Sequence, residues 1–581
     1  MESKEQIVMT PKGKTSNSTT LWIERKVVDD MTPGDKVHVA GGDHRGIIIN
    51  KETVEDKIQV PANLSLEFRV FLVNSQTGTH TKESRILRFW FRQIICTDAE
   101  QAALAQEFFR ELVTPQQFPR DYVGFIKKIM KLLQHGYQGI IRIEIVLTEL
   151  PATDLPERPP SADDSSSDKH VELTETKLLE VVESYYPNPI TVQDLSKEYE
   201  WDEQEITKVM TDLQNKGAVK SMPHGAYTRV TQNDTEIKVV KQMPKMMSSK
   251  QPTIAIITAQ FTEKLAVDAM IDNKETFVRY TTIGSDKQGS RSRFGESNVY
   301  TLGNIGDHQV VCTKLPSVGH TREAMTAAGS TTTRLLGTFQ KVEHVFLVGV
   351  GGGVPHFTDF NRHVRLGDVV ISHSPANSKS SYIFCEGASE ITPGKFSFET
   401  KSYAPNDTIL QEIAGQIKIR SEDENCDGLW MEYVNQGMKY LSTATDHEFK
   451  RPSSQSDKLY MAIGEKDLIE VAHPIPQDNA TKRFEGKPRI HLGAIGAGRE
   501  ISRNDQIRQQ FSQQYNVSAF DSEFGAVIES IIGNCRDSFV CIRGISDYKD
   551  GTRKSEWQPY AALIAASVTK AIISALDPVY L

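Results

Sequence analysis

Cysteine is scarce in this sequence. Six cysteines, Cys96, Cys312, Cys385, Cys426, Cys535 and Cys541, are scattered over 581 residues, and none forms C-x-x-C. That argues against a disulfide scaffold and against a zinc module, so no metal site is expected. A reduced, cytoplasmic setting fits best. Long apolar runs are missing too. The most apolar stretch, His344 to Val354, is cut by glycines and is too short to cross a bilayer. The N-terminal MESKEQIVMTPKGKTSNSTT lacks the apolar core of a signal peptide, so neither export nor a membrane partner is expected. Positive charge is not in excess. The net charge of −9 gives no global argument for nucleic-acid binding, though it leaves room for a local basic patch. A phosphate-binding loop is also wanting. Gly13-Lys14-Thr15 has its ending, but the first glycine of G-x-x-x-x-G-K-T would fall on Val8, and no strand is legible before it.

The composition, 38% hydrophobic and 25% charged, is that of a globular chain with the length of three or four domains. It changes character twice. Residues 151–170, PATDLPERPPSADDSSSDKH, have almost no large apolar residue and read as a solvated linker. A second break, KQMPKMMSSKQ, ends just before a strongly apolar strand. The expected domains are therefore 20–150, 171–240 and 252–581, with no internal repeat.

In the first domain VHVAGG, GIIINK, EFRVFLVN and RILRFWFRQIIC have strand composition. AEQAALAQEFFRELV and YVGFIKKIMKLLQ read as amphipathic helices, and GIIRIEIVLTEL as a closing strand. This is an α+β pattern without a chemical motif. In the second, a helix near 175–186 is followed by ITVQDLSKEY, EQEITKVMTDLQNKG and AVKSMPHGAYTRV. Three helices and a two-stranded wing resemble a winged helix, whose third helix would enter a DNA groove. Residues 172–229 carry 11 acidic and 6 basic residues, whereas a DNA reader needs a basic face. A protein-interaction or spacer role is expected, and a nucleic-acid partner is not.

From residue 252 onward strands and helices alternate. TIAIIT, HVFLVGV and DSFVCIRGIS are nearly uniformly apolar, as in a sheet buried on both faces, which predicts a three-layer α/β/α domain. Ligands of such sheets sit beyond the carboxyl ends of the strands. Three strand ends attract attention. HVFLVGVGGGVPHF brings Gly349, Gly351, Gly352 and Gly353 to one of them. A dinucleotide fold would continue into a helix, which Val354-Pro355-His356 does not. The glycines are either a plain turn or backbone held against a ligand. SAFDSEFGAVIES places Asp521 and Glu523 at a helix start, and FVCIRGISDYKDG ends with Arg543, Ser546 and Asp547. Each carboxylate is either a cap or an acid-base group.

In combination, VGVGGGV followed by RLGDVVIS, then D-x-E-x-x-A, then RGISD and the Ala-rich PYAALIAASVTKAIISAL resemble the nucleoside phosphorylase/nucleosidase superfamily. The likeness covers about 252–580 and is nearest the methylthioadenosine/S-adenosylhomocysteine and nucleotide nucleosidases. It implies cleavage of an N-glycosidic bond through an oxocarbenium-like transition state, with no cofactor. By resemblance Asp547 is the acid on N7 of adenine, kept protonated by its place after a buried strand, and Ser546 orients it. Glu523 is the acceptor for the ribose hydroxyls. Glu263 is the glutamate that activates water, with an exposed residue of a first helical turn as the alternative. Gly351 and Gly352 would approach the substrate through their backbone. The Gly-Asp-Pro-x-Arg loop of phosphorylases is absent, which favours water over phosphate as the nucleophile.

Basic residues gather in loops that face the nucleoside 5′ end in the family: Lys287, Arg291 and Arg293, and then His320 and Arg322. Arginine forks and a helix N-terminus suit phosphate oxygens, against the alternative of a solvated loop. Relatives in antiviral defence hydrolyse ATP to adenine and ribose triphosphate, and a nucleosidase behind interaction domains looks like such an immune effector. The resemblance thus implies an adenine nucleotide substrate, a homo-oligomer and a protein partner for the N-terminal domains. Competing readings are a methylthioadenosine/S-adenosylhomocysteine nucleosidase, a purine nucleoside phosphorylase, or an inactive nucleotide sensor and scaffold.

Overall fold

The structure is a computed structural model that describes residues 5–27, 37–39, 47–50, 60–73, 80–95, 97–114, 117–119, 121–150, 172–222, 225–230, 237–240, 242–247, 250–279, 298–316, 322–374, 379–392, 394–422, 429–463, 468–476, 487–521, 524–548 and 555–577. It is a mixed α/β protein of two compact units.

One unit takes Met1–Pro159 together with Pro355–His363 and Ser454–Glu485. It holds a nine-stranded sheet. Alternating Leu64, Leu66, Phe68 and Val70 of the Leu64–Val73 strand are buried, as are Leu87, Phe89 and Phe91 of its neighbour His80–Phe91. Period-two burial is what a sheet covered on one face requires. The helices Asp98–Leu112 and Tyr122–His135 bury Phe108, Phe109, Phe125 and Leu133, and the Phe68 and Phe109 rings lie 5.2 Å apart. Two features depart from the sequence reading. A strand, Glu5–Lys14, runs through Gly13 and Lys14, and Thr15 turns the chain into Ser18–Val27. The displaced glycine remains the ground for rejecting a phosphate loop there. The hairpin Leu459–Ala462 and Leu468–Val471 joins this sheet, with Ile469 opposite Val70, so the contacts of the expected 252–581 span are interrupted twice. An open strand edge accepts any segment with matching apolar alternation, and Leu459, Ile469 and Val471 supply it.

The second unit opens with three helices, Glu175–Tyr185, Val192–Tyr199 and Glu203–Asn215. Thr174, Thr191 and Asp202 cap their N-termini through side-chain oxygens. A three-stranded sheet, Ile190–Thr191, Ala226–Arg229 and Val219–Met222, closes the segment. Leu178, Val182, Leu195, Trp201, Ile206 and Met210 form its core.

The rest of the unit is built on a twelve-stranded sheet. At its centre His308–Lys314, Ile254–Thr258, His344–Gly353 and Ser538–Tyr548 run parallel and side by side. Ile254–Thr258 is buried throughout, and the glycine strand is buried from Val345 to Gly353. The Ala-rich final helix, Gln558–Ser574, is buried along nearly its whole length. Small residues are needed where it meets Gly544, because a Cβ there would lie 1.9 Å from the Ala561 carbonyl oxygen. That close approach gives the glycine of RGISD and the alanines after it a packing reason.

Candidate functional site

Parallel pairing brings the carboxyl ends of three strands together. Ile254–Thr258 is followed by the helix Phe261–Asp268, in which Gln260 is the N-cap and Glu263 completes a capping box. Glu263 does more than cap. Oε2 accepts the Ala259 and Gln260 N–H groups, each at 2.8 Å, while Oε1 accepts the Val350 N–H of the glycine strand at 2.8 Å. The residue is 3% exposed, so the alternative of an exposed first-turn glutamate is ruled out. Burial raises its pKa above the usual carboxylate range, opposed by the Arg543 charge and the three N–H donors.

The glycine strand is neither a turn nor an open loop. It remains a strand through Gly353, and its neighbours are protein groups. A Cβ on Gly349 would lie 2.5 Å from Glu263 Oε1 and 2.7 Å from the Arg543 guanidinium. A Cβ on Gly351 would lie 2.8 Å from the Phe520 carbonyl oxygen. Close approach explains these glycines, and at Gly349 the approaching group is the candidate carboxylate. Gly352 is the register partner of Asp547 across a bulge, and it also pairs with Phe520. A bulge re-aims the side chains around it.

On the third strand Ser546 is buried and its hydroxyl donates to Asp547 Oδ2 at 3.1 Å. Three strands from distant parts of the sequence therefore bring Glu263, the glycines and the Ser546-Asp547 pair to one end of the sheet.

Sequence reasoning singled out Asp521 and Arg543 separately and missed that they meet, with Tyr382, in one buried group. Asp521 is the last residue of the strand Val517–Asp521, and the helix it was expected to open begins at Gly525. Its carboxylate lies 3.0 Å from the Arg543 guanidinium, with both side chains fully buried. Tyr382 donates its hydroxyl proton to Asp521 Oδ2 at 2.5 Å, and burial, followed by the Asp521 charge, raises the phenol's pKa well above the usual range. The Phe524 ring stacks 4.0 Å from the guanidinium carbon. Arg543 and Asp521 could be noticed as charges at apolar strand ends, but nothing local marked Tyr382.

Glu523, Lys287, Arg291, Arg293 and His320 lie outside the described residues. Arg322 begins the helix Arg322–Thr338, and its side chain is likewise outside them. Among the described residues no cluster of His, Cys, Asp and Glu could hold a metal ion, and no helix is long and apolar enough to cross a membrane.

Comparison with known proteins gives three kinds of likeness. Residues 163–231 match the model of the winged helix-turn-helix domain. A nucleotide-binding leucine-rich repeat (NLR)-like protein of the fungus Hyaloscypha variabilis is 27% identical over 285 residues, which is 49% of this chain and 26% of the relative. The chain thus spans about a quarter of that relative's length. Similar solved structures include a 5′-methylthioadenosine/S-adenosylhomocysteine nucleosidase from Neisseria meningitidis in complex with methylthio-immucillin-A. It is 16% identical, covering 56% of this chain and 100% of that one, with a TM-score of 0.32. The futalosine hydrolase of Helicobacter pylori is 12% identical, covering 56% and 97%, with a TM-score of 0.30.

Proposed function

We propose that the C-terminal part of the chain hydrolyses the N-glycosidic bond of an adenine nucleotide, ATP above all, to adenine and ribose 5-triphosphate. One observation carries the reading. The Glu263 carboxylate accepts the Val350 N–H, two residues from Gly352, and Gly352 is paired with Asp547. A buried carboxylate and an aspartate thus stand on either side of the glycine strand at one end of the sheet.

Asp547, as the acid, donates its proton to N7 of the departing adenine, so the base leaves neutral as the C1′–N9 bond breaks. Water attacks C1′, its oxygen forms the new bond, and its proton passes to Glu263. The raised pKa of Glu263 suits a proton acceptor, and the three N–H donors fix its oxygens. Glu523 would hold the ribose hydroxyls. Arg291, Arg293, His320 and Arg322 would meet the phosphates. No step requires a metal or a cofactor. The resemblance of the motifs to enzymes that act as oligomers supports a homo-oligomer.

The winged-helix segment fits a protein-binding role better than a DNA-binding one. Its third helix exposes Glu203, Glu205 and Asp212, with Asp202 at its cap, and phosphates would be repelled there. The sequence likeness to an NLR-like protein is consistent with an immune effector.

The test is incubation of the purified chain with ATP, ADP, AMP, adenosine and methylthioadenosine, with and without phosphate, followed by chromatography of the released bases. Adenine from ATP without phosphate supports the proposal. Release that depends on phosphate would make the protein a phosphorylase, and release from methylthioadenosine alone would make it a thioether-specific nucleosidase. Replacing Arg291 and Arg293 by alanine should slow ATP far more than adenosine, and equal losses on both would refute a phosphate role.

A further inference from the structure

The helix Phe261–Asp268 has eight residues, about two turns, and a helix that short depends on what packs against it. Its first turn carries both Phe261 and Glu263. Each helical residue is turned by about 100° from the last, so side chains two positions apart leave on nearly opposite sides. The Glu263 carboxylate reaches the glycine strand, and the buried Phe261 ring sits on the other side, in a cluster with Tyr186, Val278 and Val299. Two of the three N–H groups that donate to Glu263, those of Ala259 and Gln260, lie within four residues of it and move with the turn. Of the three, only the Val350 N–H ties the carboxylate to the glycine strand. What backs the turn from the Phe261 side therefore helps to decide where the carboxylate stands.

Much of that backing comes from the winged-helix segment. Tyr186, directly after the helix Glu175–Tyr185, packs edge-on against Phe261 with the ring centroids 5.2 Å apart. The Arg229 guanidinium carbon lies 5.6 Å from the Phe261 ring, and the His447 ring lies 6.1 Å from it. Arg229 ends the strand Ala226–Arg229 of the same segment, whereas His447 follows the helix Leu429–Ala444. These groups are tied into a seam. Arg229 Nε donates to Glu183 Oε1 at 2.8 Å, and His447 Nε2 lies 2.8 Å from the same oxygen. Asp446 accepts from Arg229 Nη2 at 2.5 Å. Lys314, which ends the His308–Lys314 strand and has no solvent exposure, donates to the Ser184 carbonyl oxygen at 3.0 Å. The seam thus holds the last turn of Glu175–Tyr185 against the sheet and seats Tyr186 on Phe261.

We propose that Phe261 is a positioning residue for the Glu263 carboxylate, and that the docked winged-helix segment holds it in place through Tyr186. The inference rests on the reading of Glu263 as the group that activates water. Phe261 is a rigid wedge between the seam and the turn. With Tyr186 seated on the ring, the turn stays pressed toward Val350, and the carboxylate stays within hydrogen-bond reach of the water it must deprotonate. With the ring cut back, or the winged helix drawn off, the turn gains room to move. A misplacement of about 1 Å is enough to cost a factor of about 10² in rate. Substrate binding falls to other groups, Glu523 and the basic loops. The loss should therefore appear in kcat and leave KM nearly unchanged.

Kinetics and hydrogen exchange on the full chain test this together. Phe261→Ala and Tyr186→Ala each remove one ring, Phe261→Leu keeps most of the apolar volume, and Arg229→Ala with His447→Gln opens the seam. In Phe261→Ala and Tyr186→Ala the kcat for adenine release should fall about tenfold or more, with KM within about twofold of wild type. Phe261→Leu should recover most of that loss. The peptide spanning 259–265 contains the Ala259 and Gln260 amides that donate to Glu263. Its exchange should rise about tenfold in Tyr186→Ala and in the seam double variant. The hairpin Tyr382–Thr392 and Lys395–Tyr403 should keep wild-type rates. Wild-type exchange of 259–265 in both of those variants refutes the proposal, and so does an unchanged kcat in Tyr186→Ala. Should a ring deletion fail to fold, exchange rises everywhere and the seam double variant decides. A wild-type chain that releases no base would sink the proposed activity, whereas the exchange pattern would still decide whether the winged helix holds the turn.

Discussion

Two buried glutamates are held in opposite ways. Glu263 is held mainly by backbone N–H groups, from Ala259, Gln260 and Val350. Glu183 is held by side chains, Arg229 and His447. Backbone donors do not titrate and survive every substitution but proline, so the first arrangement is as rigid as the strand ends that supply it. Side-chain donors change with pH and with single substitutions, so the second can open while the fold stays intact. A site that must keep a carboxylate fixed suits the first kind of support, and a docking seam suits the second.

The largest effect should come where chemistry is removed. Asp547→Asn should cut adenine release by a factor of about 10² to 10⁴ with the melting temperature little changed, as measured by timed chromatography and thermal scans. Full activity in that variant would remove Asp547 from the mechanism. Next comes the seam. Arg229→Ala leaves Glu183 buried without its guanidinium and should cost about 3–5 kcal/mol in urea unfolding of the unit. A loss below about 1 kcal/mol would mean that water already reaches Glu183 and that the two glutamates differ less than argued. On the rigid side, Gly349→Ala must push against Glu263 Oε1 and Arg543, and should cost about 1–3 kcal/mol together with most of the activity.

The smallest effect is in pH. Burial pulls the His447 pKa down, but the hydrogen bond and charge of Glu183, with Asp446, more than offset it and leave the imidazole above its usual range. A raised folded pKa means stability that is complete below the unfolded value of about 6.5 and is lost as pH rises through the folded value. Lys314 has the opposite sign. Its folded pKa of about 7 lies below the unfolded value of 10.5, so burying it costs most below pH 7 and progressively less as pH rises toward 10.5. Urea midpoints between pH 6 and 8 should therefore fall in the wild type relative to His447→Gln. Parallel curves would show that Glu183 does not charge the imidazole.

The central strands were legible because sheets buried on both faces need uniform apolarity, and Ile254–Thr258, His344–Gly353 and Ser538–Tyr548 have it. Glu5–Lys14 was not, since EQIVMTPKGK mixes a proline and lysines into a strand whose partners lie elsewhere. The same applies to Lys395–Tyr403, an outer strand with exposed residues that is recognisable only beside Tyr382–Thr392. Asp547, Ser546 and Glu263 could be read because their motifs are local and each sits close after a strand or at its end. The Tyr382–Asp521 bond spans 139 residues and the Lys314–Ser184 bond spans 130, distances over which no periodicity carries information. The glycines were seen, but their cause was not, because the carboxylate that needs Gly349 empty lies on another strand's helix.

The most direct measurement is the release of base from ATP by the purified chain in phosphate-free buffer, followed over time beside Asp547→Asn and Glu263→Gln. The account predicts adenine and ribose 5-triphosphate from the wild type, and release slowed by a factor of about 10² or more in the two variants. An unchanged ATP peak in every sample, with adenosine and methylthioadenosine also intact, would contradict it.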